Sequence, residues 1–184
     1  MSKKYGLLLA GILLTSVIRL SAQDFEVPKN LSLKYTVDYA TYEPDVIKCV
    51  DWLENSPLDQ DKDKHTAAYA FLLLWVTGAP NVHVIVDADL IGSKNKKNAG
   101  LMLIYMGEWS KYELKHGDKT KQSDAAVAAV KAEIKVYKKG NGMVKDKTMD
   151  KLAELDEKGL LESYVGGKMA KEEKGAKAKP QGGH

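Results

Sequence analysis

His83, Asp87 and Asp89 fall within seven residues of one another in the stretch "NVHVIVDADL". An imidazole and two carboxylates could hold a divalent metal or move a proton, because zinc sites draw three or four N, S or O ligands onto one ion. In an extended segment, offsets of four and two put all three on one face, yet spread too far to meet on one ion without a bend. In a helix, 83 and 87 would be neighbours and 89 would point elsewhere. A further ligand would have to come from His65, His116 or Glu108. Isolated polar clusters of this kind usually lie on solvated loop edges. His83, Asp87 and Asp89 are thus the metal candidates of the chain, and no catalytic residue is assigned.

Other reaction chemistries lack their local signatures. There is no Gly-x-Ser-x-Gly elbow, Walker A loop, dinucleotide fingerprint or His-Glu-x-x-His pair. Asp59, Asp61 and Asp63 alternate like the start of a calcium loop. That loop needs glycine at its sixth position and glutamate at its twelfth, where this chain has Lys64 and Ala70. No cofactor is expected. Cys49, the only cysteine, cannot form a disulfide within the chain and reads as a small buried apolar residue on a helix.

The elements that would position these residues read as helices. Glu43-Pro44 is expected to open the first, since proline suits a first turn, with Val46, Val50 and Leu53 on one stripe and Asn55-Ser56-Pro57 as the stop. Residues 24–42 before it read as a lead-in, although Tyr35, Tyr39 and Tyr42 have helical spacing. "TAAYAFLLLWV", residues 66–76, is apolar almost all round and is expected at the centre of the fold. It is too short to cross a membrane. Residues 81–88 read as an extended connection. Ala99, Met102, Tyr105, Trp109 and Tyr112 then mark a helix ending near Gly117, and Val127, Val130, Ile134 and Tyr137 mark another ending at Gly140. Met149, Leu152 and Leu155 start a fifth, and Leu160 to Val165 a last short one, with Gly166-Gly167 closing the folded part.

The expected fold is therefore all-α, a bundle of five to six helices arranged as antiparallel hairpins with one extended segment near 81–88. Trp75 and Trp109 stand 34 residues apart, the tetratricopeptide period. Ala67 and Phe71 match that repeat and Pro80 lies near its proline, but the Trp-Leu-Gly-Tyr opening is absent, so tetratricopeptide-like packing is allowed rather than required.

Lys3-Lys4, the apolar run Gly6–Ile18 and Ser21-Ala22-Gln23 form the three-part pattern of an export signal over residues 1–23. The expected organisation is this leader, the lead-in 24–42, a helical domain 43–167 and a disordered Lys-rich tail 168–184. The chain has 28 Lys+Arg against 25 Asp+Glu. The leader takes Lys3, Lys4 and Arg19, leaving 25 against 25 and no arginine. A neutral chain without a guanidinium fork is a poor nucleic-acid binder.

The order "IKCVDWLENSP", "FLLLWVTGAPNV", "GLMLIYMGEWSKYEL" resembles a group of small exported bacterial helical proteins. The resemblance covers roughly residues 43–165, rests on apolar packing signatures and implies no activity. The sequence therefore points to a periplasmic or secreted, non-catalytic binding or scaffolding domain of the cell envelope. Its partner would be a protein or envelope component, with no nucleic acid and no stable membrane insertion after signal removal. The alternative is a metal-binding protein or metal-dependent hydrolase using His83, Asp87 and Asp89.

Overall fold

The computed structural model describes residues 25–92 and 95–178. The expected leader and the last residues of the expected tail, 179–184, lie outside the described residues. Six helices follow one another: α1 Thr36–Asn55, α2 Lys62–Gly78, α3 Gly100–His116, α4 Gln122–Lys139, α5 Lys147–Glu157 and α6 Leu161–Ala178. Two 3-10 turns precede α3 and α4, at Lys96–Asn98 and Gly117–Lys119. No strand occurs among the described residues, and the all-α expectation holds.

α1 begins well before Glu43-Pro44. The Asp38 carboxylate accepts the Lys34 and Tyr35 amides at 2.8 and 3.0 Å, which folds the incoming chain back onto the first turn of the helix. Pro44 thus lies inside the helix, where it offers no N–H to the Ala40 carbonyl. The turns before it are held by packing: the Trp75 indole donates to the Tyr39 carbonyl at 3.0 Å, and Tyr39 lies against Gly78. The tyrosine spacing was the stronger helix signal, and the proline misled.

α1 and α2 form an antiparallel hairpin. Tyr39 meets Trp75, Tyr42 meets Phe71, Cys49 Sγ lies 3.7 Å from the Ala68 carbonyl, and Trp52 packs on His65. Phe25, ahead of α1, fills the angle between Trp52 and Phe71. Cys49 is fully buried, and burial pushes its thiol up to about 12.

α2 is not the centre of the fold. It buries His65, Ala68, Phe71, Leu72, Trp75 and Val76 against α1 and α3. Its other side, with Ala67, Ala70, Leu73 and Leu74, is exposed, Leu74 by 56%. All-round apolarity does not place a helix centrally when only one face has neighbours. The centre is the α3–α4 hairpin, which touches every other helix between its two members. Leu101, Ile104, Tyr105 and Trp109 of α3 are buried, as are Ala125, Ala126, Ala129 and Val130 of α4. The alanines let the two axes approach closely.

At Gly107 three helices converge: an added Cβ would lie 2.8 Å from Val50 Cγ2 of α1 and 2.9 Å from Leu72 Cδ2 of α2. α5 is capped by Asp146, whose carboxylate accepts the Thr148 and Met149 amides. α6 does not stop at Gly166-Gly167 but runs through them to Ala178. Leu161, Val165 and Met169 recur every fourth residue and are buried, and Lys131 of α4 pairs with Glu162 at 2.7 Å. The expected disordered tail is thus helical from 168 to 178, because Met169 extends the buried stripe by one turn.

Candidate functional site

The connection from α2 to α3 has neither helix nor strand from Val82 to Asp87 and is pinned rather than loose. Val82, Leu90 and Ile91 are buried, and the Tyr105 hydroxyl donates to the Ile85 carbonyl at 2.9 Å. This segment parts the predicted metal residues. The His83 amide donates to Glu113 Oε2 at 3.0 Å, and the ring is exposed near the end of α3. Asp87 and Asp89 form a turn in which Asp87 Oδ1 accepts the Asp89 amide at 2.7 Å. Both carboxylates face Lys168 of α6, which bonds Asp89 directly and lies 4.0 Å from Asp87. That hydrogen bond to Asp89 raises the Lys168 pKa. Among the described residues, no three His, Cys, Asp or Glu side chains gather in a way that could hold a metal ion.

The other histidines have local roles. His65 is buried: Nδ1 donates to the Asp61 carbonyl at 3.3 Å, and Ser56 Oγ lies 3.0 Å from Nε2. His116 closes α3 by binding the Tyr112 carbonyl and stacking on the Tyr112 ring.

The most concentrated ionisable chemistry is a cluster absent from the sequence reading. Lys111 of α3 lies 3.0 Å from Asp51 and 3.2 Å from Glu54 of α1, and it also bonds Glu108. Lys135 of α4 reaches the second Glu54 oxygen at 2.9 Å. Burial pushes the Glu54 carboxyl up, but hydrogen bonds from Glu108 and Lys135 and the nearby Lys111 charge outweigh it and hold Glu54 below its ordinary value. Burial and the Glu54 hydrogen bond push Glu108 up to about 8, against the pull of Lys111. The pair therefore keeps one proton through neutral pH. The cluster lines neither of the hollows described below, and it fastens α1, α3 and α4 together. Glu54 lies four residues after Val50, and Lys111 four after Gly107, so the pair extends by one turn the seam where those two meet. That was the available signal, and it needed knowledge of which helices touch.

Glu133 of α4 is wholly buried beneath the connection. Its Oε1 accepts the Gly92 amide at 3.3 Å, and its Oε2 has no hydrogen-bond partner. Burial raises its pKa well above the ordinary value, with the Gly92 bond opposing and Asp146 adding to the rise.

A cleft opens where the start of α1, the Pro80–His83 turn and the end of α3 come together. One part, about 310 Å³, is apolar, with Val37, Ala40, Trp75, Pro80 and Leu114 among its walls. The other, about 500 Å³, is polar, with His83, Glu113, Asp118, Thr120 and Gln122. Glu43, Asn81 and Leu114 line both, so the two adjoin. Each falls within the roughly 300–1,000 Å³ of ligand sites. Glu113 is fixed on both oxygens, one accepting the Trp109 indole at 2.9 Å and the other the His83 amide. Of the predicted site residues, only His83 contributes.

No family model, curated protein or solved structure matches this chain.

Proposed function

We propose that the chain is an exported, non-catalytic binding domain of the cell envelope and that the cleft between α1, the Pro80–His83 turn and α3 is its ligand site. The observation that carries this reading is the adjacency of an apolar hollow and a polar one sharing Glu43, Asn81 and Leu114. Such a surface offers orientation and apolar contact together, which recognition needs. Export is inferred from Lys3-Lys4, Gly6–Ile18 and Ser21-Ala22-Gln23. No helix among the described residues is long and apolar enough to cross a membrane.

The metal reading is not preferred, since Asp87 and Asp89 engage Lys168 while His83 lies against Glu113.

Two measurements test the proposal. Fractionation of cells making the chain with a C-terminal tag should place it outside the cytoplasm, shortened at its start. A photo-crosslinking residue at Asn81 should give adducts in the envelope that the same residue at Lys158, in the turn between α5 and α6 and outside the cleft lining, does not. An intact cytoplasmic chain, or equal adducts from both positions, would overturn the reading.

A further inference from the structure

We infer that the cleft takes a basic peptide segment in which a bulky apolar side chain stands next to a lysine or arginine. This rests on the cleft being the ligand site and adds the chemistry of the occupant. The apolar hollow presents Trp75, Pro80 and Leu114 beside Val37, which is 68% exposed, so apolar surface is left facing water. Apolar surface next to a hollow is a favourable seat for one large side chain.

The polar hollow decides the sign of the neighbouring group. Glu43, Glu113 and Asp118 line it, and no lysine does. Among the described residues, no lysine ammonium lies within ion-pair distance of these three carboxylates. Several acids elsewhere do hold lysines: Asp51, Glu157 and Glu162 hold one each and Glu54 holds two. Three carboxylates without a lysine partner on one wall favour a cation over phosphate or carboxylate. Glu113 is already held in place by Trp109 and His83, so binding a cation need not order it.

The backbone adds a peptide-specific feature. The Ala40 carbonyl lacks its helical donor because the residue four positions on is Pro44. Ala40 and Glu43 line the apolar hollow, which sets the proline break of α1 at the ligand's edge. Thr120 Oγ1, at the polar end, also has no hydrogen-bond partner.

The test titrates the ¹⁵N-labelled full chain with acetyl-Phe-Lys-amide, acetyl-Phe-Gln-amide and acetyl-Phe-Glu-amide and follows backbone amide shifts. The lysine peptide should shift Val37, Asn81, His83 and Glu113 and bind about tenfold or more tighter than the glutamine peptide. The glutamate peptide should bind weakest, and added salt should erase the ranking. Glu43→Gln combined with Asp118→Asn, both outside the core, should abolish the lysine preference with the fold intact. Equal binding of lysine and glutamine peptides at these amides would overturn the cationic occupant and leave the cleft reading standing. No shift at the cleft with any peptide at millimolar concentration would overturn both. Shifts there that grow with protein concentration alone would mean a second copy fills the cleft, and would overturn the peptide occupant.

Discussion

Lys111 of α3 and Glu54 of α1 meet at 3.2 Å with both side chains sealed from water. A buried ion pair contributes little over a well-packed apolar pair, but stripping one partner leaves a charge without compensation. Lys111→Met should therefore cost about 3 kcal/mol or more and lower Tm by roughly 6–12 °C, measured by urea and thermal unfolding. Adding Glu54→Leu should recover part of the loss. A single substitution within about 0.5 kcal/mol of the parent would show that the pair is not sealed.

Glu108 gives the pH dependence a definite sign. Its folded value, about 8, lies above its ordinary 4.5. In that window the folded chain holds a proton that the unfolded chain has released, so stability falls as pH rises. The contribution is full below 4.5 and lost once pH passes about 8. Glu108→Gln keeps a neutral donor toward Glu54 and should remove this component. Urea midpoints across the window should decline for the parent and flatten for the variant, and parallel curves would refute the assignment.

Gly107→Ala probes the convergence of α1, α2 and α3. Its Cβ would press on Val50, whose branched side chain is stiff in a helix, and on Leu72. Overpacking of this kind should cost about 1–3 kcal/mol. Gly167→Ala, whose Cβ meets nothing within 4 Å, is the control and should match or exceed the parent in stability.

Met169→Ala tests the part of α6 beyond Gly166-Gly167. Met169 is buried, and its truncation should cost about 2 kcal/mol or more. Lys171→Ala, on the exposed side of the same turn, should be neutral. Equal, negligible effects would restore the view that the fold ends at the glycines.

The fold class, the ends of α1, α3 and α4 and the non-helical connection are legible because they follow from periodicity and from stop signals such as Asn55-Ser56-Pro57, Gly117 and Gly140. A single proline or glycine pair outweighs neither helix where apolar spacing continues past it. Pro44 hid the start of α1, and Gly166-Gly167 hid the course of α6, though in both cases spacing of larger side chains carried on past them. α2 looked central because composition reports how apolar a helix is, not how many faces have neighbours. The cleft was mostly hidden because Glu43, Asn81 and Glu113 come from three separate elements, and only the fold makes them adjacent. Asp87 and Asp89 were read toward His83, but their charge is answered by Lys168, distant in sequence.

The missing rung at Pro44 divides α1 into two stretches of unequal grip. Thr36–Glu43 contains no fully buried side chain, whereas Val46, Cys49, Val50 and Leu53 beyond the proline are closed off completely. The front stretch can fray at far lower cost than global unfolding. It carries Val37, Ala40 and Glu43, so fraying there would open one wall of the cleft as a flap while the seam at Gly107 stays shut. An occupant gripping that flap would slow hydrogen exchange over Thr36–Glu43 and leave the amides beyond Pro44 untouched.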